Sequence, residues 1–217
     1  MTVQETITGS LPVMEHFYTL QGEGFHQGRA AYFIRLGGCD VGCVWCDVKE
    51  SWDTNAHPRV RIDEILQFIL SGTQLYVQDN HSKTKPFVVV TGGEPLMHNL
   101  DELTAAIRTA GYPAHIETSG AHPLSGRWDW ICVSPKKFKA PLDEVLAHAD
   151  ELKVVIYHPS DFEWAEKHAQ KVKPGCLLYL QPEWDRSEKM TGLIVDYIKD
   201  HPEWRLSLQI HKYIHVP

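Results

Sequence analysis

Seven short stretches rich in apolar and β-branched residues recur along the chain, at positions 31–36, 87–91, 114–118, 130–133, 152–157, 177–180 and 205–210. Between many of them the apolar positions switch to a spacing of three and four, at 60–70, 100–110, 143–149, 162–170 and 190–200, the period of a helix with one buried face. The strand stretches read as apolar runs rather than as in-and-out alternation, as a parallel sheet covered on both faces requires. Strand, helix, strand in repetition therefore predicts βα units around a mainly parallel sheet, with loops after the carboxyl ends of the strands carrying any ligand chemistry. Seven strands are fewer than a closed eightfold barrel needs. The polar stretch 71–86 has only a weak apolar pulse and is expected to be a surface excursion. No long-period repeat or low-complexity tract interrupts the pattern, and residues 1–217 are expected to form one compact domain.

Charge narrows the partners. With 21 Lys and Arg against 28 Asp and Glu the net charge is −7, and no basic run or stripe is present, so a nucleic-acid surface is not expected and a small molecule is. No apolar stretch approaches the roughly 20 residues that span a bilayer. The opening MTVQETITGSLPVMEHF lacks the basic and apolar regions of a signal peptide. A cytoplasmic protein without a membrane partner is expected. Five cysteines are an odd number, and in a reducing compartment clustered thiols point to metal binding or catalysis rather than disulfides. Cys132 and Cys176 stand apart in apolar runs and read as core residues.

Cys39, Cys43 and Cys46 lie together directly after the first predicted strand. A structural zinc site closes its tetrahedron with four protein ligands. His26 or Asp47 could supply a fourth, but no second C-x-x-C pair exists in the chain. An iron–sulfur cube held by three thiolates leaves one iron open to another ligand. Three further loops also follow predicted strands: Gly92, Gly93, Glu94 and Pro95; Ser119 and Gly120; and Ser134, Pro135 and Lys136. The paired glycines allow close backbone approach, and exposed carbonyls with Glu94 can accept from an ammonium group.

The spacing C-x3-C-x2-C, with Trp45 before the last cysteine and GGEP after the next strand, resembles the radical S-adenosylmethionine superfamily. Together with FYTLQGEG at 17–24, RLGGCD at 35–40, TGGEPL at 91–96, ETSG at 117–120, VSPK at 133–136 and LQIHKY at 208–213, the chain closely resembles the 7-carboxy-7-deazaguanine synthase family nearly end to end. The resemblance implies an α/β fold, a partial, open TIM-like βα barrel of the radical S-adenosylmethionine type. It implies conversion of 6-carboxy-5,6,7,8-tetrahydropterin into 7-carboxy-7-deazaguanine with loss of ammonia, in queuosine and other 7-deazapurine biosynthesis. The family uses a [4Fe-4S] cluster on Cys39, Cys43 and Cys46 and cleaves S-adenosylmethionine to a radical that takes a hydrogen from C6 of the pterin.

By the same resemblance, substrate contacts fall on Leu20, Gln21, Gly22, Glu23, Arg35, Thr91, His211 and the terminal Pro217, whose carboxylate closes over the substrate. Arg35 suits the pterin carboxylate, since a guanidinium matches it bidentately, and Glu23 suits the aminopyrimidine edge. S-adenosylmethionine contacts fall on Trp45, Cys46, Asp47, Gly93, Ser134, Pro135, Lys136 and Gln181, with Ser119 beside them. The stretch 205–210 is expected to pin the tail as a strand. Family members are commonly homodimers and draw electrons from a donor such as a flavodoxin or ferredoxin. One position departs from the pattern: many members have threonine after C-D, where it helps hold magnesium on the substrate, and this chain has Val48. Valine has no oxygen to offer an ion that demands oxygen ligands, so weaker magnesium dependence is expected. The alternative reading is an activase of glycyl-radical enzymes, which shares parts of the cysteine and GGEP pattern.

Overall fold

The structure is a computed structural model describing residues 9–77 and 84–217. The chain opens with a hairpin, β1 (Ser10–Leu20) and β2 (Ala30–Leu36), then a short β3 (Arg59–Arg61) and α1 (Ile62–Val77). There follow β4 (Phe87–Gly92), α2 (Asp101–Thr109), β5 (Ala114–Thr118), β6 (Trp130–Val133), α3 (Asp143–Leu146), β7 (Glu151–Ile156) and α4 (Asp161–Ala169). The chain closes with β8 (Leu177–Pro182), α5 (Ser187–Asp200), β9 (Trp204–Leu206) and α6 (Ile210–Ile214). Among the described residues these strands make one nine-stranded sheet in the order β3-β1-β2-β4-β5-β6-β7-β8-β9. From β2 to β9 every pairing is parallel, while β1 runs antiparallel to both β2 and β3. The edges β3 and β9 do not meet, so the barrel is open.

Period-two alternation divides the strands between two environments. Ile34, Val90, Ile116, Val133, Leu152, Val154 and Leu180 belong to the main core, with Leu103 and Ile107 of α2, Ala165 of α4, and Met190 and Ile194 of α5. Burial of each such large side chain contributes roughly 1.5–3 kcal/mol relative to exposure. The intervening residues face inward. At the base, Phe33, Phe87 and Val89 form a small apolar cluster, but farther up the inner positions are Arg35, Thr91, Glu117, Lys153 and Gln181, all lining one cavity.

Three expectations need correction. Residues 17–20 belong to β1 instead of preceding the first strand; only positions 11–13 of that strand are buried, so a half-exposed antiparallel strand left no apolar run to read. The helix expected over 60–70 starts at Ile62 and continues to Val77, taking in part of the expected excursion, of which 78–83 lie outside the described residues. The strand expected over 205–210 is only β9: Trp204, 1% exposed, anchors it in the core. Ser207 then donates its hydroxyl to Gln181 Oε1 (2.7 Å), and the chain turns into α6. No helix among the described residues is long and apolar enough to cross a membrane.

Candidate active site

A cavity of about 310 Å³ opens at the carboxyl ends of the parallel strands. One wall is the cysteine loop, in which Cys39, Cys43 and Cys46 gather with Val41 and Ala121. Backbone N–H groups of Val41 and Gly42 donate to the Cys39 sulfur; burial nevertheless raises its thiol, and burial pushes Cys43 up to about 11. Such thiols ionise readily only when a metal supplies the compensating charge, and amide donors to sulfur are a feature of iron–sulfur sites. No three His, Cys, Asp or Glu side chains among the described residues converge on a single-ion position. A cube asks for no such convergence, because each thiolate takes its own iron. The residues fit a cluster better than a lone tetrahedral ion.

The glycine loop after β4 seals this wall. A Cβ on Gly93 would lie 2.3 Å from the Gly38 carbonyl oxygen and 2.8 Å from Cys39 Cβ, so only glycine permits the approach. Glu94 does something other than the expected contact with an ammonium group. It is 1% exposed and its carboxylate accepts from Leu96 N, Thr118 Oγ1, and Ser119 N and Oγ, tying the glycine loop to the end of β5.

Arg35 and Thr91 are register partners on β2 and β4, and Arg35 pairs across the hairpin with Glu15 through Nε at 2.6 Å. Its terminal guanidinium nitrogens make no hydrogen bond to a described residue, leaving the fork available to an anion. Opposite, Glu23 accepts from Lys153 and from Gln209 Nε2 (2.9 Å). Burial by itself would raise Glu23, but the Lys153 ammonium outweighs it and holds the carboxyl down to about 2. Gln21 donates to Glu117 Oε1 (2.8 Å) and accepts from Glu23 N (3.0 Å). Ser134 accepts from Lys136 Nζ through O and Oγ (2.8 and 2.6 Å), and that ammonium sits 5.6 Å from the Trp45 ring centre. Burial lowers Lys136.

The chain end covers the cavity as a short helix. Ile210 N donates to Gly22 O (3.0 Å), and a Cβ on Gly22 would meet His211 Nδ1 at 2.0 Å. Lys212 pairs with Asp47 of the cysteine loop (3.0 Å), His215 takes a left-handed φ of 55°, and Thr19 Oγ1 donates to Pro217 O (3.2 Å). The tail is thus pinned by α6 and its ties, not by a strand.

Below the cavity lies a second space of about 10 Å³, lined in part by His26, His115, Trp130, Cys132 and Glu151. Burial raises Glu151 and Cys132. Burial also lowers His26 to about 4, assisted by Arg29, and His115 to about 3, assisted by His26. Cys132 is buried as expected, and Cys176 packs partly buried against the core.

Every residue to which the family resemblance assigned a substrate, S-adenosylmethionine or cluster contact lines the upper cavity except Pro135, which is buried between Ser134 and Lys136, whereas His26 lies in the lower space. Sequence reading missed Lys153 and Gln209 and gave Glu117 no role of its own. The one available signal was a lysine inside the otherwise apolar run 152–156, LKVVI.

An open parallel sheet with a three-cysteine loop, a paired-glycine loop and a polar cavity at its carboxyl ends is the architecture of a radical S-adenosylmethionine enzyme. No family model matches the chain. It is 51% identical over 207 residues to the 7-carboxy-7-deazaguanine synthase of Flavobacterium psychrophilum, covering 95% of this chain and 93% of that one. It is 49% identical over 215 residues to that of Synechocystis sp., covering 99% and 97%. The crystal structure of QueE from Escherichia coli superposes with a TM-score of 0.77 at 31% identity, covering 92% of this chain and 94% of the other. The chain belongs to the 7-carboxy-7-deazaguanine synthase family. These similarities favour the synthase expectation over the activase.

Proposed function

We propose that this chain converts 6-carboxy-5,6,7,8-tetrahydropterin into 7-carboxy-7-deazaguanine and ammonia, in the pathway to queuosine and related 7-deazapurines. One observation carries the reading. Positions scattered from 20 to 217, each matching a family substrate contact, border the same cavity as the three cysteines. Cys39, Cys43 and Cys46 would hold a [4Fe-4S] cluster, and Trp45, Asp47, Gly93, Ser134, Lys136 and Gln181 would border S-adenosylmethionine. When bound, the reduced cluster and S-adenosylmethionine supply the hydrogen-abstracting radical.

The chain's own task is orientation and exclusion of water. Arg35 presents its free fork to the pterin carboxylate, and Thr91, its neighbour in register, offers a hydroxyl beside it. Glu23, held ionised by Lys153, accepts from the aminopyrimidine edge. Gly22 lets His211 press down on the opening loop, so α6 and Pro217 close the mouth. Val48 does not fit a magnesium ligand: its side chain carries no oxygen, and its carbonyl accepts from Ser51 Oγ at 2.7 Å. In this reading the protein works as one domain and as a homodimer in the cytoplasm, reduced by a flavodoxin or ferredoxin.

The test is anaerobic reconstitution with iron and sulfide, followed by S-adenosylmethionine, reductant and the carboxylated tetrahydropterin. Formation of 7-carboxy-7-deazaguanine, identified by mass, is expected. Cluster-loaded protein that binds S-adenosylmethionine and yields no deazaguanine overturns the reading.

A further inference from the structure

We propose that Lys153 is a positioning residue that lets the cavity hold two ionised carboxylates, Glu23 and Glu117, and so makes it read a 2-amino-4-oxopyrimidine ring and reject a 2,4-dioxo one. This inference rests on the pterin reading above and assigns a role that the family resemblance did not give.

Lys153 is 4% exposed and projects from the inner face of β7 between two acids from distant parts of the chain. Its Nζ pairs with Glu23 Oε2 and lies 3.8 Å from Glu117 Oε2. The remaining protein donors approach from the sides: Gln209 to Glu23 Oε1 and Gln21 to Glu117 Oε1. A carboxylate offers about four acceptor positions, so both retain capacity toward the cavity they border. Lys153 has no packing task that asks for an ammonium group, since Leu152 and Val154 carry the outer-face contacts of the strand.

Two carboxylates sharing a site without a cation cannot both stay ionised. The other ionisable groups around the trio are Glu151, Cys132 and Lys136, with His211 facing Glu23. Burial alone would lower Lys153, yet Glu117 and Glu23 raise it well above its ordinary range. A 2-amino-4-oxo ring presents N–H donors at positions 2 and 3, which ionised carboxylates accept. A 2,4-dioxo ring puts an oxygen at position 2, facing negative charge. A site built for a donor rejects the analogue that lacks it by large factors, but a protonated carboxyl can donate to that oxygen and erase the discrimination.

The experiment titrates 6-carboxypterin and 6-carboxylumazine, read by fluorescence, into cluster-loaded protein with S-adenosylmethionine. The native protein should prefer the pterin by about 100-fold or more, unchanged between about pH 5.5 and pH 6.5. Lys153→Met should reduce the preference to about tenfold or less and make pterin binding weaken as pH falls. Lys153→Arg should keep the native preference. The double variant Lys153→Met/Glu117→Gln removes the like charge together with the cation, so Glu23 ionises more readily than in Lys153→Met; it should regain part of the preference, with pterin binding still weakening as pH falls. It carries the test if Lys153→Met does not fold. Native preference and a flat pH response in Lys153→Met, or no preference in the folded double variant, overturns the inference alone. Native protein that binds neither ring takes down the pterin reading together with it.

Discussion

The two polar chambers on the inner face of this sheet treat their ionisable groups in opposite ways. In the upper one, of about 310 Å³, Lys153 holds Glu23 far down its range, and the charges persist. In the lower one, of about 10 Å³, burial raises Glu151 and lowers His26 and His115, so acid and bases alike are pushed toward their neutral forms. The strands are the same; the difference is one cation and the space around it. Glu23, which borders both spaces, keeps its charge by pairing with Lys153, whereas His26 and His115, with no anion paired to them, are held toward their neutral forms by burial.

The sharpest break between the chambers is in their thiols. Cys43→Ala should abolish both cluster assembly and turnover, measured as protein-bound iron and deazaguanine formed. Cys132→Ala should leave both intact and cost about 1 kcal/mol in urea unfolding. Loss of iron in Cys132→Ala would place the lower chamber in the metal site. Next in size, Arg35→Ala should lower kcat/KM by about 100-fold, mostly through KM, as expected for losing a charge-assisted fork on a carboxylate. An unchanged KM would move the pterin carboxylate elsewhere.

A smaller effect tests neutrality below. His26 and His115 have folded values depressed from 6.5 to about 4 and about 3, so as pH falls the unfolded chain takes up protons that the folded chain refuses. The stability they contribute is complete above about 6.5 and is lost as pH drops toward those depressed values, by roughly 1.4 kcal/mol per pH unit for each proton. Faced by His26, Arg29 and Asp129 and stacked on Phe87 at 4.2 Å, His115 can be replaced by a ring of similar shape. In His115→Phe, urea unfolding at a series of pH values should show the slope reduced by one proton. An unaltered slope would mean that the native histidine is charged. The smallest effect is at Val48: turnover should respond less to added magnesium than in relatives with threonine there, and Val48→Thr should increase the response. Strong, saturable activation of the native protein contradicts this.

Much of this was legible along the chain. The parallel strands announced themselves because burial on both faces leaves apolar runs such as FVVV in β4. The cysteine and glycine loops could be placed because each directly follows such a run. β1 was not legible, since Glu15 and His16 interrupt it and half its side chains see solvent. Nor was α6, whose five residues are held by Gly22 and Asp47 rather than by a buried stripe of their own.

The sequence by itself determined where the reactive loops fall and which residue types they carry, because alternation, spacing and glycine freedom are properties of neighbours in the chain. Only the tertiary structure decided that Glu23 meets Lys153 across 130 positions and Gln209 across 186, and that the Glu94 carboxylate is spent on Thr118 and Ser119. Those pairings follow from strand order and from which face each strand turns inward. A charge must find its partner through space, and no local pattern records that distance.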